Sequence, residues 1–332
     1  MFLWLELLIS RPIVVFVSFN IFSVQFEITD ASEVLNETQA MIHLAQYGYL
    51  ALSVDEIQSG KRVSKEDLSR ALKEFQDFNN LHSTGNLDVQ TMSKLQEPRC
   101  GFPDETRNSR TRWFKHSNRK WIENRITFAF EHDSKKLPPH VTHNEIYRAF
   151  KTWEEFIPIK FDLADKEKPN ILVSFETGKH QDQAPFDGPL GILAHATGPQ
   201  ESRLHPSFAH FDDDENWHVE NEKNNDDGPN LYQVAVHEIG HTLGLYHSND
   251  TKSVMRAHYP GSFNPNFKMP LDDVYAIQTL YPKKRKLKGP NGKPLYTTVP
   301  PRPKRKRRTT RKPLPKSELA KNHTALDRGR IL

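Results

Sequence analysis

The chain has 332 residues, enough for one large domain and a smaller companion, and its 36% hydrophobic content allows a buried core beside extensive polar segments. A formal net charge of +4 hides an asymmetry: residues 283–332 hold 18 Lys and Arg against two Asp and Glu, which leaves the rest of the chain at −12. A single cysteine, Cys100, excludes any disulfide within the chain.

In chain order, residues 1–23 read as a secretory signal. A short n-region ends at Arg11, the apolar run 13–19 follows, and small Ser23 offers a cleavage point. That run falls short of the roughly 20 apolar residues that span a bilayer. The terminal RGRIL offers no apolar tail for lipid exchange, so no membrane anchor is expected. Residues 24–110 follow as a helical segment and its linker. Within AMIHLAQYGYL and DLSRALKEFQDFNNL apolar residues recur at helical spacing, with Leu68, Leu72, Phe75 and Phe78 on one face. A turn at 83–86 precedes a last helix capped by Asp88. Residues 105–125 are polar and basic.

The segment 111–282 alternates strand-like and helix-like runs: ITFAF (126–130), a helix over 143–156, KFDLA, NILVSFE (170–176), a helix over 231–245 and another over 271–281. This pattern predicts an α/β domain. Acidic and glycine-rich loops fill 177–229. Past Pro282 the Lys/Arg/Pro-rich composition predicts a disordered tail over 283–332.

The most informative stretch is HEIGHTLGLYH, 237–247. On a helix His237 and His241 lie at i and i+4, so both imidazoles leave one face and can share a cation. Glu238 sits beside them as a general base, Gly244 permits a left-handed exit from the helix, and His247 completes a three-histidine set. Three neutral ligands with one open position suit a catalytic zinc.

These residues resemble the metzincin peptidases and, among them, the matrixins (the matrix metalloproteinases). Ser248 after the third histidine favours that branch, and SVMRAHY places Met255 at the family's Met-turn. PRCGFPD (98–104) resembles the propeptide switch, which gives Cys100 the role of a zinc ligand in the latent form and pairs Arg99 with Asp104. The resemblance further implies a structural zinc on His180, Asp182, His195 and His210. It implies a calcium site from Asp187, Gly188, Asp212, Glu215 and the carbonyls of Leu190 and Ile192. It also implies substrate pairing along GILAHA around Ala194, and a pocket near Gln233 and Tyr259. The expected fold is a metzincin catalytic domain, a five-stranded twisted sheet with three helices, behind a three-helix propeptide and with no hemopexin-like module.

Three departures stand out. Asn170 replaces an aspartate and PQESRLHPSFA replaces a glycine-rich bend, which puts a second calcium site in doubt; Ala257 replaces a proline of the pocket wall. The linker carries Arg107, Arg110 and Arg112, an R-x-x-R pattern for a proprotein convertase, after which the new N-terminus would pair with Asp272. N-glycosylation patterns begin at Asn36, Asn249 and Asn322. The expected partners are extracellular protein substrates, a convertase, tissue-inhibitor-type proteins and, through the tail, acidic glycans. A rival reading, a zinc-structured binding protein whose KRKRR (304–308) contacts nucleic acid, is disfavoured by the signal, the glycosylation patterns and the retained Glu238.

Overall fold

The computed structural model describes residues 36–104, 119–164, 168–182, 184–200, 205–219, 228–261 and 267–283. It also gives the backbone of two short antiparallel pairs, Val15–Phe16 with Glu27–Ile28 and Arg285–Lys288 with Pro294–Thr297. The second pair lies in the tail, where composition predicted no elements. By chain contacts the division falls at Met1–Thr298 and Val299–Leu332, and the latter unit lies outside the described residues.

Among the described residues the N-terminal segment holds four helices, where three were expected: α1 Glu37–Gln46, α2 Val54–Gln58, α3 Lys65–Phe78 and α4 Val89–Leu95. Each starts on a side chain that accepts a backbone N–H: Asn36, Ser53, Ser64 and Asp88. The extra helix is α2, whose Ser53 and Glu56 form a capping box. Helix α3 turns Ala71, Leu72 and Phe75 into a core with Leu44, Tyr47, Tyr49 and Leu95, while Leu68 and Phe78 are partly buried. Each Leu or Phe so buried contributes about 1.5–3 kcal/mol.

The second core belongs to a sheet with helices α5 Pro139–Glu154, α6 Leu231–Thr242 and α7 Leu271–Leu280. Its strands are β1 Arg99–Cys100, β2 Arg125–Phe130, β3 Lys160–Leu163, β4 Ile171–Glu176, β5 Ile192–Ala196 and β6 Ser207–Asp212. The spatial order is β1-β5-β6-β4-β2-β3, and only the β5–β6 ladder is antiparallel. The expected count was five. The sixth strand, β1, comes from the N-terminal segment itself and pairs parallel to β5. Strand β6 falls in a stretch read from the sequence as loop. Helix α5 begins earlier than its apolar pattern because Pro139 stands in its first turn, where a missing N–H costs nothing. Trp153 on α5 donates its Nε1–H to the Val236 carbonyl on α6 at 2.8 Å, fixing the helix that carries the histidines.

Candidate metal centre and its switch segment

Helix α6 starts at Asn230, whose side chain accepts from Gln233 N at 3.0 Å, and ends where Gly244 turns with φ +95. His237, Glu238 and His241 are all buried on it, and the chain returns to bring His247 alongside. Ligand atoms of Cys100, His237, His241 and His247 lie within 4.8 Å of one another.

The hydrogen bonds fix the tautomers. His237 Nδ1 lies 2.7 Å from the Val254 carbonyl, His241 Nδ1 2.8 Å from the Leu245 carbonyl and His247 Nδ1 2.6 Å from Asp104 Oδ1. These oxygens only accept, so each Nδ1 carries the proton and each Nε2 presents a lone pair. Those lone pairs face one another: His237 Nε2 is 3.1 Å from His241 Nε2 and 3.3 Å from His247 Nε2. Burial, with His247 nearby, pushes His237 down to about 3 and His241 well below the usual imidazole range, so protons do not relieve this. A cation does, and the donor set fits zinc.

The rest of the centre is equally unbalanced. Both carboxylate oxygens of Glu238 are buried and accept no hydrogen bond among the described residues. Burial pushes Glu238 up to about 8, with the adjacent Cys100 thiol working the other way. Cys100 Sγ stands 3.6 Å from His241 Nε2, and burial, then the Glu238 charge, push the thiol well up. A bound cation inverts that preference in favour of the thiolate.

The segment 98–104 is held on both sides. Cys100 N donates to the Ala257 carbonyl at 2.9 Å, Gly101 N to the Ala194 carbonyl at 2.8 Å, and Tyr259 N to the Pro98 carbonyl at 2.8 Å. Arg99, 1% exposed, reaches Asp104 with Nη2 3.0 Å from Oδ1 and Nη1 3.2 Å from Oδ2, and its guanidinium stacks over Tyr47 at 3.4 Å. Burial opposes both charges, but Arg99 and His247 hold Asp104 well below the usual carboxylate range. Phe102 stacks on His241 with centroids 4.1 Å apart.

Met255 lies under α6, and a Cβ on Gly240 would meet its Sδ at 2.3 Å, so a larger residue there would have to displace the Met255 side chain. The Met-turn hangs on Asp273, which accepts from Ser253 Oγ, from Val254 N at 2.9 Å and from Met255 N at 3.4 Å. Sequence reasoning singled out its neighbour instead: Asp272 accepts from Ser248 Oγ at 3.3 Å. A cleft of about 360 Å³ opens beside Glu238, lined by Gln233, Val254, Tyr259 and Phe267 among others. Arg107, Arg110, Arg112 and Asn322 lie outside the described residues. Asn36 caps α1 at an exposed position, and the Asn249 carbonyl accepts from Asn80 at 2.9 Å.

A second cluster joins His180, Asp182, His195 and His210 within the same 4.8 Å limit. Asp182 Oδ2 lies 2.9 Å from His195 Nε2 and 3.0 Å from His210 Nδ1, and Oδ1 lies 3.1 Å from His180 Nε2. The carboxylates of Asp187, Asp212 and Glu215 form no cluster of that tightness among the described residues. Leu190 N donates to Glu215 Oε1 at 2.7 Å and Ile192 N to Asp187 Oδ1 at 2.9 Å; Gly188 and Leu190 carry φ +88 and +66. Burial, then repulsion by neighbouring carboxylates (Asp214 and Asp187 on Asp212, Asp212 and Asp187 on Glu215), push Asp212 to about 6 and Glu215 to about 7. Asn170 is spent on Thr127, whose N and Oγ1 donate to its Oδ1 at 2.8 and 2.9 Å.

Comparison with known proteins agrees with this geometry. A family described as Matrixin matches residues 120–282, and a peptidoglycan-binding domain family matches residues 38–95. Matrix metalloproteinase-16 of Rattus norvegicus is 37% identical over 268 residues, 77% of this chain and 43% of its own length. Interstitial collagenase of Equus caballus is 33% identical over 298 residues (89% and 59%), and stromelysin-1 of Mus musculus 38% over 234 (70% and 47%). The chain thus spans about half the length of the relatives it matches. With a matrixin domain over 120–282, a helical propeptide domain before it and matrix metalloproteinases as its homologues, the chain belongs to the matrixin family of metalloendopeptidases.

Proposed function

We propose that the protein is a secreted zinc endopeptidase, made as a latent proenzyme, that cuts proteins of the extracellular matrix or other extracellular proteins. The observation that carries this reading is the convergence of three imidazole lone pairs on one point, with the unpaired Glu238 beside it and the Cys100 thiol across it. His237, His241 and His247 would hold the ion, and Cys100 would be its fourth ligand before activation. Bound zinc would supply Lewis acidity towards the scissile carbonyl and the attacking water.

The chain's own residues do the rest. After the propeptide leaves, the Ala194 carbonyl, now occupied by Gly101 N, becomes an acceptor for the main chain of a substrate strand. The side chain after the cut enters the cleft at Gln233 and Tyr259. Glu238 takes a proton from the attacking water as its oxygen bonds to the carbonyl carbon. It passes that proton to the amine nitrogen as the C–N bond breaks.

The finer assignments belong to the same proposal. His180, Asp182, His195 and His210 hold a structural zinc, closed by an anionic ligand. Asp187, Asp212 and Glu215, with carbonyls of Gly188, Leu190 and Ile192, hold calcium, whose charge would offset their mutual repulsion. The R-x-x-R linker at Arg107 and Arg110, extended by Arg112, is cut by a convertase, and the new ammonium pairs with Asp272. Asn36, Asn249 and Asn322 carry glycans, and the tail over 283–332 attracts acidic glycans through its charge.

The test is to incubate the full chain with an extracellular-protein and peptide library, with and without a mercurial that blocks Cys100. Cleavage only after treatment, abolished by a zinc chelator and restored by zinc, is expected. Cleavage indifferent to both reagents would overturn the reading.

A further inference from the structure

Three metal-facing imidazoles need three acceptors behind them, and the protein does not take them from one place. His237 and His241 rest on carbonyls of Val254 and Leu245, which belong to the catalytic domain and stay with it. His247 alone rests on Asp104, at 2.6 Å, and Asp104 belongs to the segment that leaves on activation. The acceptor is also different in kind: a carboxylate anion rather than a carbonyl. Both side chains are fully buried.

We propose that Asp104 is a positioning residue for the metal ligand His247, so that the propeptide holds the catalytic ion from behind as well as through Cys100. The inference rests on the zinc reading above and goes beyond the pairing of Asp104 with Arg99. The carboxylate is fixed well enough to act this way. Oδ1 takes Arg99 Nη2 at 3.0 Å besides His247; Oδ2 takes Arg99 Nη1 at 3.2 Å and Tyr49 Oη at 2.7 Å; the Asp104 N–H donates to the Tyr47 carbonyl at 3.0 Å. An anion accepting the Nδ1–H orients the ring and makes its Nε2 a stronger donor to a metal. Phe102, stacked on His241 and edge-on to His247 at 5.8 Å, keeps both rings from turning away. The latent protein therefore binds the catalytic ion more tightly than the processed one, and only part of that difference comes from the thiolate.

The experiment uses the full-length proenzyme loaded with cobalt(II) in place of zinc. The thiolate-to-cobalt absorption reports the Cys100 site alone, because the second cluster has no sulfur. The rate at which that absorption decays in excess chelator is compared for wild type, Asp104→Asn and Arg99→Met. Loss of such an outer hydrogen-bond partner typically weakens a site about tenfold or more, so Asp104→Asn is expected to decay about tenfold faster. Arg99→Met leaves Asp104 on His247 and is expected to decay close to the wild-type rate while becoming easier to activate. Equal acceleration in the two variants would mean that Asp104 only closes the loop with Arg99, and an unchanged rate in Asp104→Asn would equally overturn the proposal. Should Asp104→Asn fail to fold, the Arg99→Met/Asp104→Asn double variant, which removes both charges together, is compared with Arg99→Met alone, with the same expected acceleration. No thiolate absorption in the wild type would instead refute the zinc reading itself.

Discussion

The two histidine clusters use nearly the same ligands and are built in opposite ways. At His180, His195 and His210 the anionic member, Asp182, is two residues from the first histidine and touches all three rings. At His237, His241 and His247 the fourth member is the Cys100 thiol, on a strand attached to a separate core, and the buried Glu238 carboxyl lies beside it. A nearby ligand closes a site for the life of the protein. On the proposed function, a ligand brought in from a distant segment would make closure reversible, and the buried Glu238 would become useful only once it reverses.

The sharpest way to break this contrast is at Glu238. In the activated enzyme Glu238→Ala should lower kcat/KM by about 10²–10⁴-fold, the range for a lost general base, with the metal content of both clusters unchanged. Activity within tenfold of wild type would place the base elsewhere. Next in size is Cys100→Ser, a poorer metal ligand: the full-length variant should cleave peptides without mercurial treatment, and a silent variant that still holds zinc would sink the reversible-closure idea. The closed cluster should respond differently. Asp182→Asn is expected to cost about 3 kcal/mol, the upper end for hydrogen bonds to a charged group, since the half-buried Asp182 meets three rings. That corresponds to a melting point lower by about 6–12 °C, with kcat/KM below the transition nearly unchanged. A large loss of kcat/KM without a fall in melting point would erase the distinction between the clusters.

The smallest effect comes from a carboxylate that has what Glu238 lacks. Glu154 accepts from Phe161 N at 2.7 Å and meets Lys151 and Lys160 at 2.9 Å each. Burial pushes it up, but these partners outweigh that and lower it below the ordinary value of 4.5. A depressed folded pKa means its stabilisation is present above the unfolded value of 4.5 and is lost as pH falls through the lower, folded one. Glu154→Gln should cost about 1–2 kcal/mol at pH 7, and the difference from wild type in urea midpoints should shrink steadily below pH 4.5. A gap independent of pH would show that the charge contributes nothing.

The centre was legible in the sequence where its parts are close along the chain. HEIGHTLGLYH encodes the shared helix face, the left-handed exit and the returning histidine, all within one local geometry. The cap of α2 was equally local, Ser53 and Glu56 three apart, and was overlooked only because the helix is a single turn and a half. What stayed hidden depends on tertiary contact. Nothing in PRCGFPD announces that Asp104 reaches His247, 143 positions away, or that Phe102 covers His241. Of two adjacent aspartates, Asp272 drew attention by resemblance, whereas Asp273 supports the Met-turn, a difference of side-chain direction on α7. Strand β6 was missed because its alternation is masked by His210 and Asp212, polar residues that are nonetheless buried.

The parallel pairing of β1 with β5 has a consequence unrelated to catalysis. Without Arg99–Cys100, β5 would end the sheet with a row of main-chain donors and acceptors of the kind that recruits strands from other copies. In the intact chain Arg99–Cys100 covers that border. Removing the N-terminal segment uncovers the border. The processed protein should then be the form that self-associates at high concentration, and a short peptide laid along β5 should keep it dispersed.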